Sequence, residues 1–393
     1  IFWKGKKLMK MAKAVISFLL VVLAAFAVMG CSHADKTEVK EVVTNELNLL
    51  KNLDTDTVQK YVSYNELFPD VPEETRLSTE VEEVFSLFFK DFDYKILNIN
   101  VDKDNKTASA KLKLSTIDTK ALAKDFDISH LEDAILQDAG SHDTEEGSSD
   151  TLESRYLILN GLLKNNQYKT VETDCTIELR NTGTESENWE ILRTHDLENQ
   201  LVGGLMTYLS DSDLLSPEET LTVYLNTLKK MDLDQMSNYL GVESLLNTSD
   251  EAKSSIASAL IEQVHNNFDF KITGSDIQSY RATVEAELTT FDSSAILKAY
   301  QAELEEYLAS PDAVIDGSQK RYNKSLELLL KNIENNTATT SSTVSFHLIN
   351  DGVSWKLQDD GQAIGEGIFG NLSTTPVTGD GEDSVDSDSY EEE

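Results

Sequence analysis

Two stretches of the chain place apolar residues at helical spacing and are followed by the same succession of polar signals. In Glu38–Asn52 the apolar positions 39, 42, 43, 47, 49 and 50 fall on one face of a helix, and Thr220–Met231 repeats the pattern. An Asp-x-Asp sequence then predicts a short helix that ends at Tyr61 in one half and at Tyr239 in the other. A third predicted helix covers Thr79–Lys90 in the first half and Ser254–Asn266 in the second.

Alternation of apolar and polar residues next predicts a β-hairpin, Tyr94–Val101 and Thr107–Ser115, with its turn at 102–105. A helical stretch leads into a longer helix over Leu157–Asn165, which Leu326–Ile333 matches. Two more strands follow, the second of which contains a tryptophan, and a short helix with a glycine closes each half. Helices combined with antiparallel strands in this order predict the α+β class.

The two halves match collinearly over most of their length, which predicts a duplicated domain. Leu50–Tyr61 aligns with Leu228–Tyr239 without a gap, and the period of about 170 residues is too long for a solenoid unit. The other matching segments are Phe92–Ile96 and Phe268–Ile272, Ala108–Asp118 and Ala282–Asp292, Arg155–Tyr156 and Arg321–Tyr322, Leu162–Asn165 and Leu329–Asn332, Trp189 and Trp355, and Gly204–Ser210 and Gly367–Ser373.

These matches divide the chain into predicted domains. The first α+β repeat is predicted over 37–210 and the second over 217–373, with a linker between them and a helix that starts at Pro217. Gly140–Ser149 is polar and acidic and predicts a loop, with a shorter counterpart at Ser310–Ser318. Residues 374–393 are rich in Gly, Ser and acids and predict a disordered acidic tail.

The amino-terminal 36 residues have the layout of an export signal followed by a lipid-attachment site. Five lysines precede the uncharged apolar run Ala14–Gly30. The junction Val28–Ser32 (VMGCS) resembles the bacterial lipobox, in which a small residue precedes the cysteine that receives diacylglyceride. We therefore predict a signal peptide over 1–30, lipid attachment at Cys31 and a lipidated tether over 31–36. The alternative is an uncleaved anchor, because the apolar run approaches the ~20 residues that span a bilayer.

The net charge makes nucleic acid a poor partner. The chain has 34 Lys and Arg against 70 Asp and Glu, and the first 30 residues hold five lysines and no carboxylate. The rest of the chain therefore has 29 basic and 70 acidic residues, a formal charge of −41. Because proteins bind phosphate backbones through Lys and Arg, such a field repels nucleic acid and anionic headgroups.

The sequence shows no signature of a common enzyme class. It has no His-Glu-x-x-His, Cys-x-x-Cys, glycine-rich phosphate loop or Gly-x-Ser-x-Gly, and none of the histidines at 33, 130, 142, 195, 265 and 347 recurs in the other half. Cys175 lies in a strand pattern that predicts a buried small residue, and the alternative is a nucleophile with His195 nearby. We predict no catalytic, cofactor-binding or metal-binding residue.

Several acidic and aromatic residues recur in both halves. Capping is predicted for the acids of the helix junction, with metal binding or catalysis as the alternative, and turns for those at strand edges. The junction pairs are Asp54/Asp232 and Asp56/Asp234, and the strand-edge pairs are Asp93/Asp269 and Asp118/Asp292. The turn 102–106 lacks the glycine and distal glutamate of a calcium loop, so we reject that interpretation.

The recurring aromatic residues predict core packing, and the alternative is that they line an apolar cavity. These pairs are Tyr61/Tyr239, Phe92/Phe268, Tyr156/Tyr322 and Trp189/Trp355.

The opening helices, the curved antiparallel sheet and the helical insertion resemble the nuclear-transport-factor-2-like, or cystatin-like, roll. The resemblance covers about 36–373 and includes the Leu-Lys-x-x-Asp-x-Asp opening at 50–56 and the tryptophan strand. A lipobox in front of tandem units of this kind is similar to uncharacterised Gram-positive lipoproteins of that superfamily. The resemblance implies the fold and transfers no functional residue, because this fold hosts isomerases, dehydratases, transport adaptors and binding modules.

These features predict an extracytoplasmic lipoprotein, anchored at the cell membrane, that acts as a non-catalytic binding or scaffolding module of the cell envelope. Its expected partners are the membrane, through the lipid on Cys31, and an envelope protein or a small ligand. One alternative is an enzyme with a pocketed roll for a small apolar substrate, which a buried Asp/His pair would favour. A structural role in envelope assembly is a further alternative.

Overall fold

The computed structural model describes residues 35–62, 64–72, 78–140, 150–183, 189–242, 251–358 and 362–370. These residues form two compact units, each with helices and a four-stranded antiparallel sheet, which confirms the predicted α+β class. With the gaps just given, the first unit contains 35–134, 150–216 and 352–354, and the second contains 135–140, 217–351 and 355–370.

The helices that begin in the first unit follow the local capping signals. Helix α1 covers 35–51, and Asp54 then accepts a hydrogen bond from the backbone N–H of Thr57 (2.9 Å) to begin α2. The bounds of the others are α2 Thr55–Tyr61, α3 Tyr64–Leu67, α4 Thr79–Phe88, α5 Thr119–Gly140, α6 Leu152–Asn165, α7 His195–Leu201 and α8 Leu205–Leu209.

The sheet of the first unit has the order β1-β2-β3-β4. Its strands are β1 Asp93–Asp102, β2 Thr107–Ile117, β3 Thr170–Asn181 and β4 Trp189–Ile191. Alternate residues of β2 and β3 are buried, for example Leu112 opposite Cys175 and Ala110 opposite Ile177, so one face covers the core and the other faces solvent. A β-bulge between Ile96 and Asn98 interrupts the pairing of edge strand β1.

The second unit repeats this order of elements. Its helices are α9 Pro217–Lys230, α10 Leu233–Tyr239, α11 Glu251–Asn267, α12 Ser293–Leu308, α13 Pro311–Ile315, α14 Ser318–Glu334 and α15 Gln362–Phe369. Its strands are β5 Asp269–Gln278, β6 Arg281–Phe291, β7 Thr339–Asn350 and β8 Trp355–Leu357, in the order β5-β6-β7-β8. Corresponding strands of the two sheets have equal lengths, and a bulge between Ile272 and Gly274 lies at the same place in β5.

An ion pair recurs between the opening helix and the edge strand of each unit. Lys51 Nζ lies 2.7 Å from Asp93 Oδ1, and Lys229 Nζ lies 2.8 Å from Asp269 Oδ1. All four side chains are about half-exposed or more, so each pair orients the helix on the strand and adds little to stability. The turn predicted for Asp93 and Asp269 is wrong, because both acids lie within strands and pair with lysines.

Of the recurring acids at helix junctions, Asp54 and Asp232 are caps, whereas Asp56 and Asp234 lie in the first turns of α2 and α10. Asp232 accepts a hydrogen bond from the N–H of Gln235 (2.8 Å) at the start of α10, which, with Asp54, confirms the capping prediction for this pair. Asp118 and Asp292 were predicted in turns, but they cap α5 and α12 by accepting from backbone N–H groups three residues later. The hairpin strands therefore run directly into capped helices.

Three local predictions differ from the structure. Helix α6 begins five residues before the predicted start, because Thr151 and Ser154 form a reciprocal capping box. The loop predicted at Ser310–Ser318 contains α13, which Ser310 caps and Pro311 opens. Gly203 and Gly370 both have positive φ and follow corresponding helices, α7 and α15. These two glycines therefore correspond, and the predicted match of Gly204 with Gly367 is wrong.

The predicted signal peptide, the lipid-attachment site Cys31, residues 141–149 and the acidic tail lie outside the described residues. In the part that the structure describes, every helix is too short or too polar to span a bilayer. The boundaries of the predicted domains stay predictions.

Candidate functional site

The recurring aromatic residues of the first unit belong to its core. Tyr61, Phe92, Tyr156 and Trp189 are all buried, and the ring of Tyr156 packs edge-on against Phe68 at a centroid distance of 5.4 Å. In the second unit Tyr322 is 46% exposed, because the first turns of α14 face solvent. The core prediction is therefore wrong for Tyr322.

A small apolar cavity lies inside the first unit. Its volume is about 10 Å³, and its lining is entirely apolar, including Val84, Phe85, Leu122 and Leu205. Such a volume is at the lower limit for one water molecule, whereas pockets for small organic ligands have about 300 Å³ or more. None of the recurring aromatic residues lines this cavity.

Cys175 has the surroundings of a structural residue. Its side chain is buried in β3, and burial together with the nearby carboxylate of Asp196 raises the pKa of its thiol to about 12. His195 is largely exposed, and its Nδ1 lies 3.9 Å from Glu198 Oε2. These surroundings keep the thiol protonated at neutral pH and disfavour it as a nucleophile.

A polar cluster on the first unit is centred on Arg155 of α6. The guanidinium forms a bidentate pair with Asp70 (3.0 and 2.9 Å) and a second one with Asp150 (2.9 and 2.6 Å). Its side chain is 13% exposed and lies over the ring of Phe68, 5.3 Å from the centroid. Two carboxylates thus neutralise the guanidinium and occupy its donors.

His130 joins the same cluster from α5. Its Nε2 lies 3.2 Å from Asp150 Oδ1, and its ring stacks on Phe126 at a centroid distance of 5.7 Å. The side chains of His130 and Asp150 are 37% and 44% exposed. A carboxylate beside a histidine can orient the imidazole for proton transfer. Here hydrogen bonds from Arg155 lower the pKa of Asp150, and Arg155 and His130 share the negative charge of its carboxylate.

One further carboxyl group, that of Asp127, lies near this cluster. Burial raises its pKa to about 7, the negative charge of Asp211 adds to the increase, and Arg155 opposes it. A carboxyl group that titrates near neutrality is common at functional sites, and it also occurs wherever a carboxylate is partly buried. His130, Asp127, Asp150 and Arg155 together form the candidate site.

Among its described residues, the second unit does not reproduce this cluster. Arg321, the counterpart of Arg155, donates to the backbone carbonyls of Ala313 (3.1 Å) and Asp316 (2.9 Å). The carboxylate of Asp316 accepts instead from the hydroxyl of Tyr307 (2.9 Å). The matching arginines therefore have different partners, and the candidate site belongs to the first unit.

Sequence reasoning identified Arg155 as a recurring residue but did not bring the cluster together. Asp70 lies 85 residues before Arg155, and no local spacing connects them. A signal was available for Asp150, which precedes Arg155 by five residues as Asp316 precedes Arg321. Among the described residues, no three His, Cys, Asp or Glu side chains are placed to share a metal ion.

No family model matches the sequence, and no curated protein matches it significantly. A crystal structure of YcdA, described as a candidate lipoprotein from Bacillus subtilis, is similar over 70% of this chain and 96% of that chain. The identity is 13% and the TM-score is 0.26. Since a score this low does not establish a common fold, the function is inferred below from the chain's own residues.

Proposed function

We propose that this chain is an extracytoplasmic lipoprotein, anchored to the cell membrane through a lipid on Cys31, and that it acts as a non-catalytic binding or scaffolding module of the cell envelope. The localisation is inferred from the sequence Val28–Ser32, which directly follows a lysine-rich and then apolar segment. Two or three acyl chains on one cysteine make a stable anchor. We further propose that the two units are tandem copies of one nuclear-transport-factor-2-like roll.

The non-catalytic part of the proposal is supported by how the polar groups are used. The guanidinium of Arg155 is neutralised by Asp70 and Asp150. Asp54 and Asp232 cap helices, and Asp93 pairs with Lys51. The cavity of the first unit is smaller than a substrate of organic size requires. The polar groups named in this paragraph therefore have structural uses, which supports a non-catalytic role.

Lipid attachment is tested by growing a bacterial host that expresses the full chain with radiolabelled palmitate. We expect the label in the wild-type chain and in Cys175→Ser, and no label in Cys31→Ser. The membrane fraction should contain the first two proteins and lose the mature form of the third. Label that persists in Cys31→Ser would refute the proposed anchor.

The enzyme alternative is favoured by one observation, the pair of His130 and Asp150 beside Asp127. It is tested by incubating the full chain and His130→Gln with an extract of envelope metabolites and comparing the products by mass spectrometry. Turnover that requires His130 would replace the binding proposal. Unchanged metabolites with both proteins are the result expected here.

A further inference from the structure

The sheet of the second unit leaves one strand half-paired. β8 pairs only with Leu348–Asn350, whereas β6 pairs with β7 along its whole length, from Arg281 opposite Ile349 to Phe291 opposite Thr339. Residues 339–343 are exposed on both faces of the strand. The first half of β7 therefore has a neighbouring strand on one side only, among the residues that the structure describes.

Two hydrogen bonds show which backbone groups face the open side. Asn350 N–H donates to Tyr280 on the β6 side (2.8 Å), and the carbonyl of His347 accepts from Gln358 N–H on the other side (2.9 Å). Because successive residues of an antiparallel strand point their N–H and C=O groups to opposite sides, odd-numbered residues face away from β6. The open backbone N–H and C=O groups are therefore those of Ser341, Thr343 and Ser345. No described residue forms a hydrogen bond with these backbone groups.

The first unit protects the corresponding edge. The alignment of β2 with β6 places Glu172, Asp174 and Thr176 where the second unit has Ser341, Thr343 and Ser345. The N–H of Thr176 donates to the side chain of Gln200 (3.0 Å). The position of Gln200 corresponds to Gly367 in α15, which has no side chain to supply such a bond.

Proteins normally protect free strand edges with charges, prolines or bulges. The first unit uses two carboxylates and a glutamine at this edge, whereas the second has only uncharged hydroxyl residues in an unbroken register. The two sheets otherwise match, and only the second lacks these protecting side chains. We take this difference to indicate that the β7 edge binds a partner. Adding a strand to such an edge is a common mode of peptide recognition.

The neighbouring side chains indicate the charge of the occupant. Glu285 lies opposite Ser345 and Glu287 opposite Thr343 on the outer face of β6, and both are exposed. Lys271 of β5 lies opposite Glu287 on the far side. A strand added beside β7 would be about 10 Å from β6, so lysine or arginine side chains on its outer face reach these carboxylates. The acidic chain as a whole also attracts a basic partner.

We propose that the open half of β7, residues 339–345, binds an extended segment of a partner polypeptide with alternating basic residues as an added strand. This inference rests on the proposed role as a binding module and specifies its partner class. Backbone hydrogen bonds to Ser341, Thr343 and Ser345 supply the pairing, and Glu285 and Glu287 select basic side chains.

The test measures fluorescence anisotropy of a labelled nonapeptide of alternating lysine and valine with the full chain in detergent at low salt. We expect binding that weakens as salt rises. The variant Ser341→Pro with Thr343→Pro removes two N–H donors that face away from β6 and no hydrogen bond to β6, and it should reduce the affinity at least tenfold. Ser341→Ala with Thr343→Ala changes the same side chains but keeps both N–H donors, and it should leave the affinity unchanged.

Two further probes separate strand pairing from charge attraction. A peptide methylated on alternate backbone nitrogens should not bind, because it lacks half of its strand donors. Glu285→Gln with Glu287→Gln should weaken binding and its salt dependence, and circular dichroism verifies that each variant is folded. Equal binding of the methylated peptide, equal affinity of the edge variant, or no binding at all would overturn the inference.

Other occupants of the β7 edge would give distinct results, and each of these results would overturn the inference. Binding that appears only after deletion of 374–393 would assign the edge to the chain's own tail. A dimer in native mass spectrometry that the edge variant abolishes would assign it to a second copy. The palmitate experiment is independent of these results, so failure of this inference and failure of the proposed anchor are distinguishable.

Discussion

At the residue scale, Asp127 shows how burial and neighbouring charge set the behaviour of one side chain. A pKa of about 7 in the folded state, well above the ordinary value, means that the folded chain retains a proton that the unfolded chain has lost. This contribution to stability is full below the ordinary pKa of a carboxyl group near 4. It is lost as pH rises toward 7 and above.

We therefore expect Asp127→Asn to stabilise the chain at pH 8 by about 1 kcal/mol or more, since one unit of pKa corresponds to ~1.4 kcal/mol. At pH 4 the variant and the wild type should have nearly equal stability. Urea unfolding followed by circular dichroism at both pH values measures the difference. Asp104→Asn, in the exposed β1–β2 turn, is the matched control. Equal gains at both pH values would contradict this assignment.

The role of a single residue could be predicted from the sequence where its partners lie close to it along the chain. The caps Asp54 and Asp232 bond to backbone three residues away, so their spacing was sufficient. Cys175 was predicted as a buried residue from strand alternation alone. The partners of Arg155 could not be predicted, because Asp70 reaches it only through the tertiary fold.

At the element scale, the end of α7 depends on a close approach between backbone and sheet. Gly203 has φ +62°, and a Cβ atom there would lie 2.6 Å from Thr116 Oγ1 and 3.1 Å from Thr119 Cγ2. The carbonyl of Gly203 also accepts from the hydroxyl of Thr119 (2.6 Å). A side chain at this position would separate α7 from β2.

Gly203→Ala should therefore destabilise the chain by about 2 kcal/mol or more, through backbone strain together with the steric clash. Gly161→Ala is the matched control, because Gly161 lies inside α6 with open space around its Cα. There alanine should stabilise by up to ~1 kcal/mol through helix propensity. Thermal unfolding of both variants measures the contrast, and similar effects at the two sites would refute the packing argument.

Most elements were predictable because their apolar periods are regular and their caps are local. The β-hairpins and the short helices that end at Tyr61 and Tyr239 follow the predicted bounds within a residue or two. The start of α6 and the whole of α13 were missed, because Ser and Thr caps were read as loop residues. Pairing of β4 and β8 at the ends of long strands is a tertiary outcome that no local pattern contains.

At the scale of the whole molecule, thiol chemistry reports the state of both cysteines. Cys175 is buried and its thiol has a pKa of about 12, so it should not react with a maleimide in the native chain at pH 7. If Cys31 carries a lipid, the denatured mature chain should show one reactive thiol. Two reactive thiols after denaturation would indicate an unmodified Cys31. Mass spectrometry of the labelled protein counts them.

The duplicated order of elements could be predicted because collinear matches persist in the sequence, from Leu50–Tyr61 to the tryptophan strands. The difference between the two sheets at β3 and β7 could not, since it required knowing which residues face an open edge. The candidate site of the first unit was missed for the same reason. Function at this scale depends on surfaces, and sequence patterns report mainly cores and turns.

The bulge that recurs in both sheets limits the assemblies that can form through the open edge of β7. In both sheets an additional residue breaks the regular row of hydrogen-bonding groups on the edge strand, between Ile96 and Asn98 and between Ile272 and Gly274. Growth of a cross-β fibril needs a receptive edge on each side of every sheet. Among the described residues, the opposite edge of each sheet has this bulge, so copies of the chain that pair at β7 lack a second regular edge through which edge-to-edge stacking could continue.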